Sequence, residues 1–168
     1  MSFVAATRNE LEQELAITRR LLERIPDDKY GWAPHPKSMT LGRLASHIAE
    51  IPEWAEGALV ADEFDMHPPG GEMMVTREHT STASLLEAFD AASATALKRL
   101  AEAEDSKMGD GWSLKMQGQT IFTMPRAAVI RTWVLNHLVH HRGQLSVYLR
   151  LNDIPVPSIY GPSADEES

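Results

Sequence analysis

Asn136-His137-Leu138-Val139-His140-His141-Arg142-Gly143-Gln144-Leu145 decides how this chain is read. The stretch sits inside a longer apolar rhythm of Ala127, Ile130, Val134, Leu145 and Tyr148, which has the spacing of one helix face. Advancing about 100° per residue puts His141 in the middle of that stripe and His137 on its edge. His140 falls roughly 100° from His141, past the margin, and Asn136 and Arg142 point elsewhere. His137 and His141 are four residues apart, so on a helix their Cβ atoms lie about 6 Å from each other. Gln144, one turn beyond His141, is placed either to line a pocket or orient a ligand, or simply to be polar at the bundle edge. Pro125 suits the first position of this helix, and the segment ends near Leu151.

A third histidine belongs with this pair. A second helix begins near Ser38 or Thr40, either of which can cap it, and ends around Phe64. Leu44, His47, Ile51, Trp54 and Ala58 share one face, so His47 points inward among apolar neighbours. Pro52 lies inside this pattern, which predicts a kink just after His47.

Two further helices complete the set. The first spans about Phe3 to Glu23, with Leu11, Leu15 and Leu22 in a stripe beside Leu21 and Ile25. The third spans about Ser81 to Glu104, with Leu85, Leu86, Phe89, Leu97 and Leu100 inward. Ser81 can cap it, and Ser84 with Glu87 has capping-box spacing. Residues 65 to 80 hold Pro68-Pro69-Gly70-Gly71 and form a long connection, long enough for helices two and three to run parallel. Trp112 to Met116 and Thr120 to Met124 flank Gln117-Gly118-Gln119 and read as a small β-hairpin before the last helix. The expected fold is therefore all-α, a four-helix bundle with long connections and that hairpin. It is one domain over residues 1–168 with an irregular tail from about 152 to 168.

Composition narrows the function. The 168 residues carry 24 Asp and Glu against 16 Lys and Arg, a net charge of −8, and no Lys/Arg cluster. A nucleic-acid partner needs a basic face, so none is expected. With no cysteine there is no disulfide, no thiolate ligand and no internal nucleophilic thiol, so any thiol chemistry must use a thiol from solution. The amino terminus turns polar too early for a secretory segment, and no apolar run approaches membrane-spanning length. A soluble cytoplasmic protein with no membrane partner is expected.

Inward histidines have an ordinary explanation: a ring in a core, hydrogen-bonded to a carbonyl or a carboxylate. Three in one core are costly unless something satisfies them. A divalent metal held by His47, His137 and His141 does so, and three neutral nitrogens suit Zn²⁺, Ni²⁺ or Fe²⁺ while leaving positions open. The sequence between the last two is Leu-Val-His, so the Glu of a His-Glu-x-x-His peptidase is missing and no catalytic base is evident. Glu50 and Glu53 read as solvated, Trp54 and Tyr148 as core, and His35, His67 and His79 as exposed.

Several stretches together are similar to the DinB/YfiT-like family of metalloproteins. They are Leu44-Ala45-Ser46-His47-Ile48-Ala49-Glu50-Ile51-Pro52, the 136–145 segment, Tyr148-Leu149-Arg150-Leu151 and Pro157-Ser158-Ile159-Tyr160-Gly161-Pro162-Ser163-Ala164-Asp165-Glu166. Thr18-Arg19-Arg20-Leu21-Leu22-Glu23-Arg24-Ile25-Pro26 and Pro34-His35-Pro36-Lys37-Ser38-Met39 also fit. The resemblance implies an up-down-down-up bundle, a metal triad of His47, His137 and His141, and a homodimer. It implies one divalent ion per chain, zinc or nickel ahead of iron. Some members of the family join low-molecular-weight thiols such as bacillithiol or mycothiol to electrophiles, or isomerise with such a thiol. The expected function is thus a metal-dependent enzyme, a low-molecular-weight-thiol S-transferase acting on a small electrophile. The alternatives are a metal-dependent hydrolase and a non-catalytic metal- or ligand-binding stress-response protein. His140 and Gln144 are the candidate pocket residues.

Overall fold

A computed structural model describes residues 2–166. Helix α1 (Phe3–Leu22) starts at Ser2, whose hydroxyl accepts the Ala5 N–H, as a capping side chain does. Its buried residues include Leu11, Leu15, Leu21 and Leu22, the stripe seen in the sequence. Helix α2 (Leu41–Glu50) is capped by Thr40, and α3 (Glu53–Val60) comes after a break at Ile51 and Pro52. Helix α4 (Thr82–Glu102) is capped by Ser81 rather than by Ser84. The last helical segment comprises α5 (Arg126–Val129), a π-helical stretch (Ile130–Asn136) and α6 (His137–Leu151). Helices α1 and α2 each pack against both α4 and α6. Leu44, Ile48, Leu85, Phe89, Leu138 and Leu145 are among the residues closed inside.

The all-α expectation needs correction. The fold is mostly helical, but a three-stranded sheet stands beside the helices, in the order β1-β2-β3. The hairpin of β2 (Gly111–Met116) and β3 (Gln119–Pro125) is as expected, with Gln117 and Gly118 both at positive φ, as the favoured two-residue turn requires. The addition is β1 (Glu63–Asp65), which pairs in parallel with β2. Three exposed or half-exposed residues show no alternation, so nothing local marks them as a strand; their partner lies 50 residues on. Asp65 then accepts the Gly118 N–H at 2.7 Å and ties the strand to the hairpin turn.

Proline 52 acts one turn later than predicted. The chain does not bend at His47 but divides beyond Glu50. The Trp54 and Ala55 N–H groups bond back only three residues, to Ile51 and Pro52 carbonyls. The missing proline N–H removes one α-helical bond, and α3 starts from there.

Two arginines are buried that sequence alone would place on the surface. Arg126 donates to the Ala58 and Ala61 carbonyls and pairs with Asp62, fastening the end of α3 to the start of the last helical segment. Arg142 does point away from the histidine pair, but into the protein: it is 1% exposed. It pairs with Glu14 at 2.6 Å and donates to the Tyr160 hydroxyl at 2.5 Å. Tyr160 donates in turn to Glu14 at 2.7 Å, so α1, α6 and the carboxy-terminal tail meet at one point. Breaking a buried pair strands the remaining charge, at a cost of about 3–5 kcal/mol. Arg142→Ala should therefore lower unfolding free energy by about 3 kcal/mol or more, read by urea denaturation. A loss below about 0.5 kcal/mol, the range of ordinary surface changes, would contradict this account.

Candidate metal centre

His47 comes from α2, and His137 and His141 from successive turns of α6. Their nitrogens lie within 4.8 Å of one another, and the three residues together could hold a metal ion. The Nε2 atoms of His47 and His141 each stand 3.0 Å from His137 Nε2. Two nitrogens on a tetrahedral zinc ion, each at about 2.0–2.1 Å, are separated by about 3.3 Å, so the triad has nearly that dimension.

The opposite ring atoms fix the tautomers. His47 Nδ1–H donates to Glu50 Oε1 at 2.7 Å, and that same oxygen accepts the Thr76 hydroxyl at 2.5 Å. His141 Nδ1–H donates to Gln144 Oε1 at 2.7 Å. In both rings the proton is on Nδ1, which leaves a lone pair at Nε2 facing His137. His137 Nε2 has one proton at most and cannot satisfy both neighbours. A cation at the centre satisfies all three, and a carboxylate or amide on the far nitrogen is what orients such ligands.

Burial favours the neutral rings. His137 is held down to about 4, first by desolvation and then by the neighbouring His141, His47 and His140; Glu50 opposes this. Desolvation also lowers His141, against the hydrogen bond it donates to Gln144. Trp54 packs 5.2 Å and Trp133 6.1 Å from the His137 ring, the latter stacked, and Trp54 lies 5.5 Å from His47.

The residues singled out in the sequence divide accordingly. His140 is exposed and outside the cluster, its ring 4.9 Å from that of His141. Gln144 serves His141. Neither His140 nor Gln144 is among the residues lining the cavity bounded by Trp54 and Trp133. Glu50 is not a solvated carboxylate: it is 15% exposed and holds His47. Trp54 is not simply core, since it is a wall between histidines and cavity. His35 is exposed as expected, whereas His67 and His79 are half-buried, bonded to Gln117 and Ser84. Glu50 falls three residues after His47, within reach on a helix, which was the available signal. The connection at 66–80 gave none, although it supplies Thr76 and lays the His79 N–H on Ser46.

The sequence model of the DinB family matches residues 3–168. The uncharacterised protein YrdA of Bacillus subtilis (strain 168) is 26% identical over 157 residues, spanning 92% of this chain and 86% of YrdA. The crystal structure of a DinB-like protein from Bacillus cereus ATCC 10987 superposes with a TM-score of 0.68 at 25% identity, covering 89% of this chain and 92% of that one. A second, the DinB-like protein YjoA from Bacillus subtilis, gives 0.64 at 16% identity over 97% and 99% and shares the fold.

The lowered histidines make acid stability predictable. The unfolded chain takes up protons near pH 6.5, while folded His137 resists until about 4. Below 6.5 the unfolded state binds more protons, so stability falls as pH drops from about 6.5 toward 4. Metal-free protein should melt at progressively lower temperature across that window, and His137→Ala should flatten the slope. Identical slopes for the two proteins in calorimetry would contradict the assignment.

Proposed function

The chain belongs to the DinB family, and from that premise we propose that it is a divalent-metal-dependent enzyme using His47, His137 and His141 as ligands. We propose further that it is a low-molecular-weight-thiol S-transferase. The observation that carries the reading is the convergence of three imidazoles, with His47 and His137 only half-buried. A structural site is closed by four protein ligands, whereas three leave a position open.

When bound, a divalent ion supplies Lewis acidity, so that a thiol or water reaching it deprotonates near neutral pH. The chain's own residues do the rest. Glu50, braced by Thr76, and Gln144 keep the Nδ1 protons in place and the Nε2 lone pairs aimed inward. Trp54 and Trp133 exclude water from one side of His137. In the transfer, the thiol sulfur bonds to an electrophilic carbon, the carbon's leaving group departs with its electron pair, and the thiol proton passes to solvent. The thiol must come from solution, since the chain has no cysteine.

Metal titration tests the first claim. One Zn²⁺ or Ni²⁺ per chain should bind, and His47→Ala, His137→Ala and His141→Ala should each weaken affinity by orders of magnitude while circular dichroism is retained. Glu50→Gln should cost about 10–100-fold, as partners behind a ligand typically do, and His140→Ala should change little. Loss of binding in His140→Ala with His141→Ala intact would overturn the assignment of ligands.

Turnover tests the second. Loss of 1-chloro-2,4-dinitrobenzene should be accelerated by metal-loaded protein only when glutathione, cysteine or another small thiol is added. Equal metal-dependent loss without thiol would move the reading to hydrolysis. No acceleration across a panel of thiols and electrophiles would favour a binding protein instead.

A further inference from the structure

A cavity of about 270 Å³ is lined by Trp54 and Trp133, the two indoles that pack on His137, while the triad histidines themselves do not line it. Its other walls come from α3, from all three strands and from the connection after β1. Trp112 and Phe122 face it from the hairpin, and Met66 and Met74 from the connection, where the Met74 N–H is bonded to the Met66 carbonyl at 2.7 Å. Benzene fits an apolar cavity of about 150 Å³, so this space suits one or two fused rings.

Its chemistry is narrow. No Lys or Arg lines it, and the one charged side chain among the lining residues is Glu53. A carboxylate or phosphate would find no cation there and one like charge. Two donors are nonetheless unspent: the indole N–H groups of Trp54 and Trp133 are buried and have no partner among the described residues. The third indole, Trp112, already donates to the Gly57 carbonyl at 3.3 Å. Buried indole N–H groups ordinarily have partners; these two are closed off even from water, so an acceptor on a bound molecule reaches one when the indole turns toward it.

We infer that this cavity binds the electrophilic substrate, and that the substrate is an uncharged aromatic molecule of one or two fused rings carrying a carbonyl or nitro oxygen. The inference rests on the reading of the histidines as an enzyme's metal centre and names the second substrate of that same site. Aromatic walls supply offset and edge contacts to such a ring, and the methionines adapt to its outline. Trp54 and Trp133 touch both the ring's space and His137, which places a bound molecule one side chain away from the triad.

Equilibrium dialysis of full-length, metal-free protein with coumarin tests this apart from turnover. Coumarin-3-carboxylate probes charge, and naphthalene probes the need for an acceptor. Gly57→Leu probes location, because a Cβ at Gly57 meets nothing within 4 Å and α3 accepts leucine readily. Coumarin should bind at least tenfold tighter than its carboxylate and lose at least tenfold in Gly57→Leu. Combining Trp54→Phe with Trp133→Phe should weaken coumarin at least fivefold and leave naphthalene unchanged. Coumarin bound no tighter than its carboxylate, or equally well by Gly57→Leu, would overturn the inference. If wild-type protein takes up metal but not coumarin, the cavity assignment fails alone. Coumarin binding as described in a protein that takes up no metal supports the cavity and removes only the enzyme reading.

Discussion

Neutral imidazoles whose Nδ1 hydrogens are committed have only lone pairs left at Nε2, and two such rings face a third across 3.0 Å each. Most of the surrounding structure serves that convergence. Helix α2 and helix α6 must pack face to face for His47 to meet His137 and His141. Glu50 and Gln144 must keep the protons on the outer nitrogens, and Thr76 must arrive from a connection 26 residues away to hold Glu50. The tryptophans must keep water from part of His137 while also lining the cavity. Apart from Trp133, which lies in the π-helical stretch, these groups stand on ordinary backbone, and each makes a short-range hydrogen bond or an aromatic contact made available by helix packing.

Features legible in the sequence are those that repeat along one helix. The four-residue spacing of His137 and His141 survives because both lie in α6, and the leucines of α1 and α4 keep the same rhythm. Caps at Ser81 and Thr40 and the turn at Gln117-Gly118 are local too. The missed features are those whose partners are distant. Strand β1 exists only because β2 is beside it, and Arg142 is buried only because Glu14 and Tyr160 close over it from opposite ends of the chain. A charged residue in a helix is read as surface, and the reading is reversed only when its counter-charge is also inside.

The sheet illustrates the same limit in a functional way. Trp54, Trp112, Phe122 and Trp133 are widely separated along the chain, and each alone reads as ordinary core. They form one wall because the parallel β1–β2 pairing and the Arg126 bonds bring α3, the hairpin and the last helical segment together. The candidate metal centre was therefore legible as three residues, while the cavity behind its tryptophans was not.

The π-helical stretch at Ile130–Asn136 interrupts the last helical segment just before His137. Its bonds reach five residues back, so the segment accommodates about one residue more than an α-helix over the same rise. Ile130, Val134 and Leu135 stay buried through it, and His137 begins the α-helix on the far side. Deleting one residue there would allow an unbroken α-helix of better local geometry. It would leave the flanking turns nearly in phase, because six α-helical steps and seven wider-wound π-helical steps cover nearly the same rotation. What the extra residue sets is the placing of the seven positions themselves, among them Trp133, whose ring stacks on His137.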